Sequence, residues 1–152
     1  MIDIRHLSDL PPDIEILRAE AAADGIRNMG ILVADWRSGA ERYDSKGEAL
    51  FGAFDEGRLV GVGCVKSEPP AMRMRRLYVL RAARRHGVGS LLARAMIARG
   101  FESADRLTCN AVPPGAGEFW EAVGFVRVTA DGWTHEMRCP LPHAGEDAKA
   151  CA

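Results

Sequence analysis

The sequence lacks the features that would direct a chain into a membrane or out of the cell. No run approaches the ~20 consecutive apolar residues that a membrane-spanning helix requires. No apolar N-terminal stretch resembles a secretory signal peptide. We therefore expect a cytoplasmic protein that makes no membrane contact.

Net charge is nearly absent as well. Lys and Arg number 20 and Asp and Glu number 21, so the formal net charge at pH 7 is −1. Such a balance provides no overall attraction to nucleic acid, and we expect no nucleic-acid partner. Charge is concentrated locally, because arginines crowd residues 73–85 whereas residues 35–56 are acidic.

Closely spaced cysteines are also missing. The four cysteines form neither the ligand pairs of a zinc site nor a redox Cys-x-x-Cys motif, so we predict no metal site. Cys64 and Cys109 fall in apolar strand patterns, where a reduced cysteine behaves as a small hydrophobic residue.

Length and composition predict one domain with a substantial core. We assign residues 1–139 to this domain. The segment 140–152 has little apolar content, and we expect it to be a disordered tail.

Hydrophobic periodicity predicts strands and helices in a mixed order. Hairpin signals at Asp55–Arg58 and Asp131–Gly132 require antiparallel pairs, whereas a strand, helix and strand over residues 72–112 require a parallel pair. The fold class is therefore α/β (α+β) with a mixed sheet. The predicted strands are 2–7, 48–54, 59–66, 72–80, 106–112, 125–129 and 133–139, and the predicted helices are 13–24, 26–36, 88–99 and 118–122.

The most informative segment is residues 75–100, where a basic, glycine-containing loop joins an apolar strand to an amphipathic helix. The N-terminus of a helix presents unpaired N–H groups and a positive dipole end, which together attract anions. Gly87 and Gly89 permit close approach of a ligand, and Arg84 and Arg85 add positive charge. We interpret the loop as a phosphate site, with a plain strand-to-helix turn as the alternative.

Two common phosphate-binding patterns do not fit this loop. A dinucleotide fold would have a third glycine where Leu92 stands, and an acid at the end of the next strand where Asn110 stands. A Walker loop would end in Gly-Lys-Ser/Thr, which is missing here.

The pattern that does fit is Arg84-x-x-Gly87-x-Gly89 after Tyr78-Val79, which resembles the pyrophosphate loop of the GNAT superfamily of acyl-CoA N-acyltransferases. Residues 119–125, Phe-Trp-Glu-Ala-Val-Gly-Phe, resemble the closing helix and strand of that family. The resemblance covers roughly residues 1–139. It implies a mostly antiparallel sheet of six to seven strands with about four helices, in which one parallel strand pair splays around the cofactor.

The resemblance further implies an N-acetyltransferase that moves an acetyl group from acetyl-CoA to a primary amine of a small molecule or peptide. Two alternatives stay open: a module that senses acyl-CoA without turnover, and an O-acyltransferase or longer-chain acyltransferase on the same scaffold. The sequence identifies neither the acceptor nor the oligomeric state, and a homodimer is compatible with it.

Site residues follow from the resemblance. The usual carboxylate on the strand before the loop is missing, since Met72, Arg73 and Met74 stand there, so Glu68 and Tyr78 are the catalytic candidates, beside Glu118 and His135. The usual tyrosine of the closing helix is replaced by Trp120. The implied acceptor-binding residues are Trp36, Arg37 and Tyr43, and the implied cofactor-binding residues are Leu77, Tyr78, Val79, Arg84, Arg85, His86, Gly87, Val88, Gly89, Ser90, Asn110, Phe119 and Trp120.

Overall fold

Seven strands form one continuous sheet in the computed structural model, which describes residues 1–140. Residues 141–152, most of the predicted tail, lie outside the described residues. No helix in the described part is long and apolar enough to cross a membrane. The strands are β1 (Ile2–Leu7), β2 (Ala49–Asp55), β3 (Arg58–Glu68), β4 (Ala71–Val79), β5 (Arg106–Cys109), β6 (Val126–Arg127) and β7 (His135–Arg138), and the helices are α1 (Ile14–Ala23), α2 (Asn28–Ser38), α3 (Val88–Phe101) and α4 (Ala116–Ala122).

The strand order β1-β2-β3-β4-β5-β7-β6 confirms the predicted mixed sheet. Neighbouring strands are antiparallel except β4 and β5, which run parallel and are joined by the crossover helix α3. The crossover is required because parallel strands cannot be connected by a short turn. The fold is therefore a GNAT-like arrangement of seven strands and four helices.

The two faces of the sheet bury separate hydrophobic clusters. On one face, α1 and α2 contribute Leu17 and Leu32 to a cluster with Val62 and Cys64 of β3. On the other face, α3 packs Met96 against a cluster that includes Val65, the next residue of β3. Successive residues of β3 point to opposite faces of the sheet, so the same strand contributes to both clusters. Each fully buried aliphatic side chain contributes roughly 1.5–3 kcal/mol through the hydrophobic effect.

A β-bulge interrupts the pairing of β3 with β4. Val62 lies opposite Tyr78 and Cys64 lies opposite Arg75, so two residues of β4, Arg76 and Leu77, face the single residue between them on β3. Arg76 takes a left-handed conformation with a φ of 55°. A bulge bends its strand and increases the local twist.

The parallel pairing of β4 with β5 ends just before this bulge. The last paired residues are Met74 and Cys109, and the two strands separate beyond them. The prediction of a strand over 106–112 was therefore too long. Thr134 holds the exit of β5 instead, because its N–H donates to the Cys109 carbonyl at 3.0 Å and its Oγ1 accepts from the Ala111 N–H at 2.9 Å.

Gly124 provides a test of how the end of α4 packs against β7. It has a φ of 116°, and a Cβ added there would collide with the Cε atom of Met137. Gly132, in the turn between β6 and β7, has a φ of 93° but open space around it. We expect Gly124→Ala to lower the free energy of unfolding somewhat more than Gly132→Ala, because both substitutions strain the backbone but only the first also displaces the flexible end of Met137. Urea unfolding measures both, and equal losses would contradict this account of Gly124.

Candidate active site

A groove opens where β4 and β5 separate, with a volume of about 1060 Å³. This volume suits a ligand of substantial size. One wall is the connection between α1 and α2, a second is the end of β4 with the loop before α3, and a third is the segment from Cys109 to α4. The lining residues used below are Asp24, Arg27, Asn28, Arg73, Arg75, Arg76, Leu77, Tyr78, Val79, Arg84, Arg85, Gly87, Gly89, Ser90, Asn110, Phe119 and Trp120.

The loop before α3 has the geometry of an anion cradle. Gly87 takes a φ of 80° and its carbonyl accepts the N–H of Leu91 at 3.0 Å. This is the first backbone hydrogen bond of α3. The N–H groups of Val88, Gly89 and Ser90 lie before it, so they have no partner within the helix and are free to point at a ligand. A Cβ added at Gly89 would lie 3.1 Å from Cε1 of Phe119, so the groove is narrow here.

Two of the predicted cofactor-binding residues have side chains outside the groove. Val88 is 1% exposed and packs in the hydrophobic core beneath α3. His86 is exposed and is not among the lining residues. Any contact these two residues make with a ligand in the groove would therefore involve their backbone atoms.

The end of β4 presents its backbone to the groove. The Leu80 N–H donates to the Val60 carbonyl at 2.9 Å, so this residue faces β3. The alternate residues face the other way: the Leu77 carbonyl accepts from Asn28 Nδ2 at 3.1 Å, and the Val79 carbonyl accepts from Arg84 Nε at 2.8 Å. Beyond Met74 this edge has no partner strand, so an extended ligand can add to it as a strand would.

Tyr78 is buried, and its hydroxyl is bound to α1. It donates to Glu20 Oε2 at 2.6 Å, and the Arg81 N–H donates to the same oxygen at 3.0 Å. Burial and the Glu20 carboxylate raise the pKa of Tyr78 to about 12. Burial alone would raise the pKa of Glu20, but the two hydrogen bonds and the charges of Arg81 and Arg84 lower it overall. The hydroxyl is thus engaged in anchoring the end of β4 to α1.

The other catalytic candidate, Glu68, lies away from the groove. It is the last residue of β3 and forms a 3.3 Å ion pair with Arg73 at the opposite end of β4 from the loop. The structure therefore does not bring Glu68 and Tyr78 together.

The three predicted acceptor-binding residues line a different pocket, which Asp9, Asp44 and Glu48 also line. Trp36 is buried because its position on the inner face of α2 directs the ring into the core. Its indole N–H donates to Asp9 Oδ1 at 3.3 Å. Arg37 forms a 2.6 Å ion pair with Glu15. Tyr43 is 3% exposed. None of the three lines the groove.

Buried His135 joins α4 to β7. Its Nε2 lies 2.8 Å from Glu121 Oε2 and its Nδ1 lies 2.7 Å from Thr134 Oγ1. Because Thr134 also holds Ala111, this chain of contacts positions the segment after β5. His135 and Glu118 are both outside the groove lining, and His135 is fully buried.

The closing wall of the groove is aromatic. Trp120 is 6% exposed, with its ring centroid 5.2 Å from that of Phe119 and 5.1 Å from that of Phe125 in edge-to-face contacts. Such pairs add about 0.5–1.5 kcal/mol beyond burial. Asn110 and Phe119 complete this wall.

Charge in the groove is strongly one-sided. Among residues 1–140, six arginines line it but Asp24 is the single acid that does, and Asp24 Oδ2 lies 3.6 Å from Arg81 Nε. Sequence reasoning missed Arg27, Asn28, Arg75 and Arg76 as groove residues. The arginine run between residues 73 and 85 was the available signal for Arg75 and Arg76. Nothing in the local pattern marks Arg27 and Asn28, in the connection between α1 and α2, as ligand-binding.

Comparison with known proteins identifies the family to which this arrangement belongs. The sequence pattern of the family described as acetyltransferase (GNAT) domain matches residues 18–138. A search of curated protein sequences finds no match.

Solved structures share the fold. A protein from an Exiguobacterium species that is classed as an acetyltransferase superimposes with a TM-score of 0.81 at 24% identity, over 91% of this chain and 93% of that one. An acetyltransferase from Streptococcus agalactiae gives 0.71 at 13% identity, over 90% and 98% of the two chains. The PaiA N-acetyltransferase from Thermoplasma acidophilum, solved in complex with coenzyme A, gives 0.63 at 20% identity, over 91% and 99%.

The bond between Tyr78 and Glu20 is testable by its pH dependence. Tyr78→Phe should lower the free energy of unfolding by about 1.5–3 kcal/mol at neutral pH, because the Glu20 carboxylate loses a charge-assisted hydrogen bond. The folded-state pKa of Glu20 lies below its ordinary value of 4.5. Its stabilising contribution is therefore present above that pH and is lost as the pH falls through the lowered pKa.

Urea unfolding at neutral pH and at ~pH 3 should accordingly show that the cost of Tyr78→Phe shrinks in acid. Tyr43→Phe is the matched control, since Tyr43 is equally buried but has no hydrogen-bonded carboxylate among the described residues. A cost of Tyr78→Phe that stays constant with pH would contradict the role assigned to Glu20.

Proposed function

Since the chain belongs to the GNAT acetyltransferase family, we propose that it is an N-acetyltransferase that uses acetyl-CoA and acts on a primary amine. The observation that carries this proposal is the junction of an unpaired β4 edge with a glycine loop at the N-terminus of α3. A cytoplasmic location and a homodimer remain predictions from sequence.

The groove has complementary places for the two ends of a CoA thioester. The N–H groups of Val88, Gly89 and Ser90, with the charges of Arg84 and Arg85, suit the pyrophosphate. The exposed backbone of Leu77 and Val79 suits the amide-containing pantetheine arm, which can pair with it as an added strand. An N–H of this edge, near Val79, would then face the thioester oxygen and stabilise the negative charge that develops on it.

The transfer itself needs few protein groups. The lone pair of a neutral amine forms a bond to the thioester carbon, the nitrogen releases its extra proton to water, and the electrons of the carbon–sulfur bond leave with the sulfur as the carbonyl re-forms. A thiol has a pKa of ~8.5, so its anion leaves readily near neutral pH and water can protonate it. Trp120 stands where the family has a tyrosine, and its indole N–H supplies no proton at neutral pH.

One observation also supports a second function, that of a module that senses acyl-CoA without turnover. In the described part of the chain, the groove contains no carboxylate, histidine or free tyrosine hydroxyl to serve as a base, since Asp24 is close to Arg81 and the Tyr78 hydroxyl binds Glu20. A module that senses acyl-CoA without turnover needs no such group. Release of free CoA in the presence of an amine panel distinguishes the enzyme from the sensor.

Binding of acetyl-CoA is the first test. Wild-type protein should bind it in titration calorimetry, and Gly89→Val should abolish binding because the side chain fills the space between the loop and Phe119. Arg84→Ala should weaken binding by about 1.5–3 kcal/mol if its guanidinium bonds a phosphate. Arg94→Ala, on the exposed side of α3 outside the groove, is the matched control. No heat at millimolar acetyl-CoA would contradict the proposal.

The second test asks whether a protein side chain protonates the leaving thiolate of CoA. Trp120→Phe should keep kcat within about tenfold of wild type, because no acid catalyst is lost. Tyr78→Phe should do the same, since its hydroxyl serves Glu20. A fall of about a hundredfold or more in kcat for Tyr78→Phe, at unchanged acetyl-CoA affinity, would instead identify Tyr78 as the acid.

A further inference from the structure

The groove holds two groups of arginines at different places. Arg84 and Arg85 belong to the loop before α3, where the proposed pyrophosphate site lies. Arg75 and Arg76 lie on β4, beside the point where pairing with β5 ends. Arg75 and Val79 lie opposite Cys64 and Gly61, which are three residues apart on β3, so at ~3.3 Å per strand residue Arg75 is about 10 Å along the sheet from Val79. The β4 arginines are therefore positioned beyond the thioester, on the side from which an acceptor would approach.

The β4 arginines have no anionic partner within residues 1–140. Arg73, two residues before Arg75, is neutralised by Glu68 at 3.3 Å and also donates to the Gly132 carbonyl at 2.8 Å. No ion pair involves Arg75 or Arg76, although both are half-buried. Half-buried guanidinium groups are expensive to leave without an anion.

Two polar atoms at this end of the groove are buried without a hydrogen-bond partner. They are Arg76 Nε and Asn28 Oδ1, and both residues line the groove. Arg76 also takes a strained left-handed backbone conformation. An unmet donor and a strained backbone each destabilise the folded protein, and such features concentrate at sites that bind a ligand.

We propose that the acceptor is an amine that also carries an anionic group, a carboxylate or a phosphate, and that Arg75 is its main anchor. This inference rests on the proposed acetyl transfer. A guanidinium presents paired N–H donors that match both anions, and it keeps its charge throughout the working pH range. The Asn28 amide is hydrogen-bonded through its nitrogen to the Leu77 carbonyl of β4, and its unpartnered oxygen can accept a hydrogen bond from the amine.

The same charges account for the missing base. An amine in this groove sits among six arginines, and a nearby like charge disfavours its protonated form. A peptide α-amine starts from a pKa of ~7.7–8.0, against ~10.4 for a lysine-like amine, whereas an anionic group on the acceptor itself raises the pKa of its amine. Pairing that group with Arg75 and surrounding the amine with arginines lowers the pKa again, so the neutral amine forms without a carboxylate base and its proton goes to solvent.

The test compares acceptors that differ in charge alone. Thiol release from acetyl-CoA is measured with amino acids, with their amides and decarboxylated amines, and with phosphoethanolamine against ethanolamine. We expect the anionic member of the best pair to exceed its neutral counterpart in kcat/KM by at least about tenfold. The two sets of pairs also distinguish a carboxylate from a phosphate. A best acceptor that is neutral or cationic would overturn the inference and leave the proposed function standing.

Substitutions test whether Arg75 is responsible for the preference for an anionic acceptor. Arg75→Gln should raise the KM for the anionic acceptor by at least about tenfold, while its effect on the neutral counterpart and on acetyl-CoA affinity stays within about twofold. Arg94→Gln, an exposed arginine outside the groove, should behave as wild type. Equal losses for the anionic and neutral acceptors in Arg75→Gln would refute an anchoring role.

A binding measurement covers the case in which no panel member is acetylated. Inorganic phosphate is titrated into protein saturated with CoA, so that the pyrophosphate site is already filled. Heat that is retained in Arg94→Gln but lost in Arg75→Gln supports the anion site, and the lack of any heat in wild type overturns it. Failure of acetyl-CoA itself to bind would instead defeat the proposed function.

Discussion

The β-bulge at Arg76 and Leu77 is the constraint on which the rest of the site depends. Two residues of β4 against one of β3 bend the strand, and the parallel pair with β5 ends at Met74 and Cys109. The bend leaves the backbone of Leu77 and Val79 without a partner strand. Two neighbouring strands gain backbone hydrogen bonds by closing on each other, so the opening persists only if neighbouring groups hold both strands apart.

Those neighbours act from both sides of the opening. Glu20 of α1 binds the Tyr78 hydroxyl and the Arg81 N–H, which fixes the far end of β4. Thr134 binds Cys109 and Ala111, which fixes the exit of β5, and buried His135 ties that residue to Glu121 of α4. The groove is therefore a preformed feature of the fold, and a ligand entering it need not pay to separate the strands.

Most of the fold was predictable because its signals are local. Asp131-Gly132 marks a hairpin, and Gly87 with Gly89 marks a helix start, whatever lies elsewhere in the chain. The bulge has no local signature, since Arg76 is a residue that rarely adopts a positive φ. The position of Trp36 could not be predicted for a related reason: helical spacing showed that Trp36 recurs on one face of α2, but not that this face packs into the core and away from the groove.

Glycines in β3 connect the core to the loop. Gly61 and Gly63 lie where α3 packs closely against the sheet. A Cβ at Gly61 would lie 3.0 Å from Leu92 Cδ1, and one at Gly63 would collide with Met96 Sδ, both of α3. These glycines let α3 lie close to the sheet. Because the N-terminus of the same helix carries the anion-binding loop, close packing in the core also sets the height of the loop above the exposed edge of β4.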